Sequence, residues 1–148
     1  MEKIEKVLAA GNAHITVNRD PDAQRGEFGV YDLTLTAAGV ENLDYVGTEP
    51  HPRAEQLFAG AWSACYTTVF GMAAQLNKVT LPPDYSVDIQ VNIGQTGAAW
   101  LLGAQFDIRV PGVEKKVVQK IAHLAHQICP YSKSVRGNIE IATNIVTA

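Results

Sequence analysis

Two cysteines, Cys65 and Cys129, are all the thiols in a chain of 148 residues. They form no C-x-x-C and no zinc-ligand spacing, which argues against a thiolate metal centre. In a reducing compartment a permanent disulfide is disfavoured as well, so two inert core thiols or a redox pair remain. Clustered positive charge is also missing: 12 Lys and Arg are scattered among 15 Asp and Glu, for a net charge of -3. Neutralising phosphates takes grouped cations, and a nucleic-acid partner is not expected. No internal repeat or low-complexity tract divides the chain, which predicts one domain over residues 1–148. The start, MEKIEKVLAAGN, lacks the cationic end and long apolar centre of a secretory signal, and this predicts a cytoplasmic protein.

A further absence is local. From Gln56 to Leu76 no side chain is charged, a length that formally suits a membrane span. Gln56, Gly60, Ser63, Thr67, Thr68, Gly71 and Gln75 interrupt it, however, and the whole chain is 47% apolar and 18% charged, as globular proteins are. The stretch therefore reads as a buried helix, apolar nearly all round, and no membrane partner is expected.

What is present alternates or recurs with clear periods. Residues 2–9 and 13–18 read as short strands around a turn at Gly11-Asn12, and 30–36 as a clearer strand, followed by a polar loop to Pro52. Pro52 suits a first helical turn, Glu55 suits the positive end of the helix dipole, and apolar positions at helical spacing continue to about Asn77. In YSVDIQVNIG, Val87, Ile89, Val91 and Ile93 share one face; Leu102, Ala104, Phe106, Ile108 and Val110 repeat the pattern after GQTGAA, predicting an antiparallel hairpin. VEKKVVQKIAHLAHQI has the spacing of an amphipathic helix bounded by Pro130, and NIEIATNIV reads as a last strand. The class is α+β, with antiparallel sheets around a central apolar helix. An all-round apolar helix has surface left over, and a homodimer would cover it.

By itself Cys65 reads as a small buried hydrophobe. Cys129, at a helix end beside Pro130 and YSKS, sits where the backbone is free to bring a second thiol to it. A fixed thiol and one at a junction suit an attacking and a resolving cysteine. Burial would raise the pKa of the attacker, so a cation must offset it; an Arg about 4 Å away is worth on the order of 4 kcal/mol at an effective dielectric near 20. Arg19, Arg25, Arg53, Arg109 and Arg136 all qualify on composition. His123 and His126, three apart on a helix, lack a third ligand nearby, and neither a metal nor a cofactor is expected. Trp62, Tyr66, Phe70, Met72 and Trp100 read as core or dimer contacts, or in part as an apolar pocket.

The segments AEQLFAGAWSACY, LPPDYSV, IGQTG, VPGVEKKV and AHQICPYSKSVRGNIEI resemble the organic hydroperoxide resistance (Ohr) branch of the OsmC/Ohr family of thiol peroxidases. That resemblance implies Cys65 as the peroxidatic cysteine and Cys129 as the resolving one. It also implies that Arg19, in NRD, holds the thiolate and that Glu55 of EQLF orients that arginine. An intertwined homodimer, organic hydroperoxides as substrates and recycling by a lipoyl dithiol are implied with them. Two places depart from the family pattern: the proline of HPRAEQLF stands three places before Glu55 rather than one, and NRDPDAQRGEFG offers Arg25 as a second cation. At about 1.5 Å per residue, ten residues of one helix put Glu55 roughly 15 Å from Cys65, so Glu55 serves the thiol through an arginine or from a partner chain. A rival of another class uses the same cysteine pair as a non-enzymatic redox sensor, or binds an apolar ligand as a dimer.

Overall fold

Alternation of apolar and polar side chains builds a long hairpin in the computed structural model, which describes residues 5–6, 11–17, 31–37, 43–45 and 54–148. Strands β4 (Ser86–Thr96) and β5 (Ala99–Arg109) pair antiparallel. Their register sets Val87 against Ile108, Ile89 against Phe106 and Val91 against Ala104, so the two apolar faces coincide. The turn is tighter than GQTGAA suggests, only Gly97 and Ala98. Gly97 has φ +59, a conformation that a two-residue hairpin turn demands and that glycine adopts without strain.

Two units are distinguished, Met1–Pro52 and Arg53–Ala148. In the first, β1 (Gly11–Val17), β2 (Tyr31–Ala37) and β3 (Leu43–Tyr45) form an antiparallel sheet in that order. Gly11 and Asn12, expected as a turn, instead begin β1 and pair with Ala37 and Thr36. β3 lies inside the segment expected as loop; three residues are too few to show alternation. The strand expected at 2–9 lies outside the described residues, apart from a bend at 5–6, and so does Pro52.

In the second unit α1 (Ala54–Leu76) carries Trp62, Tyr66, Val69, Phe70, Ala73 and Ala74 into the core. It packs on β4, on α2 (Lys115–Ile128) and on α3 (Pro130–Val135). Phe106 of β5 receives the rings of Trp62 and Tyr66 edge-on, each with centroids 4.9 Å away. The helix is long and apolar enough to cross a membrane, yet this face is filled by protein; Met72 and Leu76, on another face, are 50% and 68% exposed. Its end is a Schellman turn: Val79 N–H donates to Ala74 C=O at 3.0 Å and Lys78 N–H to Gln75 C=O at 2.9 Å. Lys78, with φ 57, occupies the left-handed position where glycine is usual.

One pairing departs from an all-antiparallel sheet. β6 (Glu140–Val146) joins β5 in parallel, giving the order β4-β5-β6. Between the two strands the chain makes α2 and α3, the long helical crossover that a parallel pair requires. β6 sets Ile145 into the core with Ile139 and Ile141 at its margin.

Candidate functional site

Helical spacing aligns Trp62, Cys65, Tyr66 and Val69 along one side of α1. Facing them is a corner between two helices. α2 stops at Ile128, Cys129 takes φ -59 and ψ 119, and α3 begins at once with Pro130 in its first turn. The cause is local: the proline ring crowds the preceding residue out of the helical region, while its own fixed φ suits the start of a new helix. Where a movable junction is expected, two backbone bonds close the corner, Cys129 N–H to Ala125 C=O at 2.8 Å and Lys133 N–H to Cys129 C=O at 2.9 Å. A proline at position 130 reads as a stop, and α3 beyond it is missed for that reason.

The corner brings the two thiols together. Cys129, fully buried, and Cys65, partly exposed, are both free, and Cys129 donates toward Cys65 with Sγ to Sγ 3.4 Å. Burial pushes the Cys65 thiol above its ordinary value and Cys129 adds to this; a backbone hydrogen bond with Tyr131 works in the opposite sense. A thiolate at Cys65 therefore needs a cation. Among the described residues, Arg109 is paired with Asp84 at 3.3 Å and Arg136 donates to the His126 carbonyl at 3.4 Å. Arg19, Arg25 and Arg53 lie outside the described residues. Glu55 stands in the first turn of α1, in the same helix as Cys65 and roughly 15 Å along it at about 1.5 Å per residue.

Around the thiols lies a polar network that no spacing announces. Trp62 Nε1–H donates to Ser132 Oγ at 3.0 Å, His126 Nδ1 lies 3.1 Å from the same oxygen, and Tyr66 O–H donates to the Ala122 carbonyl at 3.1 Å. Ser132 is only 3% exposed. The two histidines have separate surroundings: His123 bonds Gln127 at 3.0 Å, whereas the His126 ring lies against Tyr66 and Phe106. Burial lowers the pKa of His126 to about 4, helped by the positive charges of His123 and Arg136. Burial also raises the Tyr66 phenol, and the neighbouring Cys129 adds to it. Of the aromatic positions, Trp62, Tyr66 and Phe70 are core, while Met72 and Trp100 are exposed. An open hollow of about 380 Å³ against α1 is lined by Ser63, Asp88, Ile89 and Asp107 among others, and neither cysteine lines it.

Residues 47–144 match the family model described as OsmC-like protein. An organic hydroperoxide resistance protein of Xanthomonas axonopodis pv. citri is 32% identical over 145 residues, spanning 98% of this chain and 99% of that one. The organic hydroperoxide resistance protein OhrB of Bacillus subtilis is 24% identical, over 92% of each chain. Among solved structures, an organic hydroperoxide resistance protein from Legionella pneumophila superposes with TM-score 0.75 at 23% identity, covering 96% of this chain and 100% of that one. One from Elizabethkingia anophelis gives 0.74 at 24% identity, over 97% and 99%.

Proposed function

The chain belongs to the OsmC-like family, in its organic hydroperoxide resistance branch, and on that footing we propose that it is a thiol-dependent peroxidase acting on organic hydroperoxides. The observation that carries this reading is the meeting of two free thiols at 3.4 Å, one fixed in α1 and one at the α2–α3 corner.

Cys65 thiolate attacks the terminal oxygen of the hydroperoxide, the O–O bond breaks, and the alkoxide leaves and takes a proton to become the alcohol. Cys65 is left as a sulfenic acid. Cys129 condenses with it to a Cys65–Cys129 disulfide and water, and an external dithiol of the lipoyl type opens the disulfide by exchange. Arg19 holds the thiolate and meets the charge on the departing oxygen, with Arg25 as its rival. Glu55 orients that arginine, from the same chain or from the partner in a homodimer. The cytoplasm, where dithiol reductants are at hand, is its compartment.

Turnover of cumene hydroperoxide and of hydrogen peroxide with a dithiol reductant tests the reading. Cys65→Ser is expected to abolish turnover, and Cys129→Ser to stop after about one equivalent as the sulfenic acid. Steady-state activity in Cys65→Ser overturns the mechanism. A wild-type protein that oxidises once and does not cycle is a sensor instead.

A further inference from the structure

Cys129 breaks the helix, so regular helical hydrogen bonding does not carry the angle of the corner from α2 into α3. The two backbone bonds that meet at Cys129 close the corner locally, and tertiary contacts with α1 fix where it stands against that helix. The contacts form a ladder in which α1 runs against the direction of the corner: Trp62 meets Ser132, Cys65 meets Cys129, and Tyr66 meets His126 and Ala122. Trp62 stands about one helical turn before Cys65, and Ser132 three residues after Cys129.

Two side chains share the Ser132 oxygen. Indole N–H is a donor only, so Trp62 donates to Ser132 Oγ. His126 Nδ1 shares the same oxygen at 3.1 Å, a hydrogen bond whose direction follows the ring tautomer. His126 Nε2 is buried and has no hydrogen-bond partner among the described residues. The ring thus makes its hydrogen bond on the side of Ser132, and the hydroxyl is committed on both of its sides.

We propose that Ser132 is a positioning residue, whose hydroxyl, held between Trp62 and His126, pins the α2–α3 corner to α1 and so presents Cys129 Sγ to Cys65 Sγ for the resolving step. This rests on the thiol-peroxidase reading above. In that step the Cys129 sulfur attacks the sulfenyl sulfur of Cys65, the S–S bond forms as the S–O bond breaks, and the Cys129 proton leaves with the hydroxide as water. The sulfurs have to close from 3.4 Å to about 2.05 Å, so an ångström of swing at the corner matters to this step and not to attack on peroxide.

The test compares full-length wild type, Ser132→Ala, Ser132→Thr and Trp62→Phe in a single turnover with one equivalent of cumene hydroperoxide, following peroxide loss and disulfide formation separately. Peroxide loss in Ser132→Ala is expected at the wild-type rate. Its disulfide should form about tenfold more slowly, with sulfenic acid trapped by dimedone. Ser132→Thr keeps the hydroxyl and restores the rate, whereas Trp62→Phe reproduces the defect; these two decide the matter if the alanine variant does not fold. Resolution at the wild-type rate in Ser132→Ala and Trp62→Phe overturns the proposal. If wild type consumes no organic peroxide, the functional reading fails and the pinning is judged by equilibrium with a dithiothreitol redox buffer. There a Cys65–Cys129 disulfide about tenfold less favoured in Ser132→Ala supports it, and an equal constant overturns it.

Discussion

A sulfur packed against the apolar core and beside a second thiol is a poor place for a negative charge, since both burial and Cys129 raise the pKa of Cys65. Reactivity then depends on a cation brought from elsewhere. Arg19→Ala is expected to move the midpoint of Cys65 alkylation to higher pH, read from iodoacetamide rates; an unchanged profile transfers the role to Arg25. His126 makes a separate prediction. Its ring titrates near 4 in the fold against an ordinary 6.5, so between these values the unfolded chain binds more protons. Stability is therefore full above about pH 6.5 and falls as the pH drops toward 4, by about 1 to 2 kcal/mol once solvent screening of the partly exposed ring is allowed for. Urea midpoints across that range, compared with a His126→Leu variant of flatter profile, measure it. The cysteines themselves were legible as a candidate pair, because their helix and the proline beside Cys129 are both visible in the sequence. Ser132 was not, because one serine in YSKS looks like the other: Ser132 is buried under Trp62 and Ser134 is exposed.

At the scale of elements, local chemistry decides most boundaries. Lys78 closes α1 in a left-handed conformation that costs a side-chain-bearing residue about 1–2 kcal/mol. Lys78→Gly is expected to stabilise the fold by about 0.5–1 kcal/mol, a rise in the thermal midpoint, because glycine loses part of the gain to its own chain entropy. Pro130 defines the corner in a similar way. Pro130→Ala removes the clash that keeps Cys129 out of the helical region, so α2 should extend through Cys129 and disulfide formation should slow; rapid-quench thiol counting checks this. Strong period-2 and helical patterns placed α1, α2, β4 and β5 to within a few residues. Short or unpatterned pieces escaped: β3 has three residues, and α3 hides behind a proline that ends one helix and starts another.

Across the whole molecule, the second unit is organised about Phe106, fully buried where rings from α1 converge on the central strand β5. Phe106→Ala is expected to cost about 3–5 kcal/mol, measured by denaturant unfolding, since it empties the contact of two aromatic partners at once. The proposed dimer adds an expectation of mass: sedimentation should give twice that of one chain. Periodicity and proline chemistry, both properties of neighbours along the chain, are enough for the sequence by itself to determine the α+β class, the long apolar helix, the hairpin and the break at Cys129. Which strand β6 joins and in which direction, how near the two sulfurs come, and which serine is buried depend on residues far apart in the chain. Those were decided only when α1, the corner and the sheet closed on one another, because packing fixes distances that no repeat along the sequence encodes.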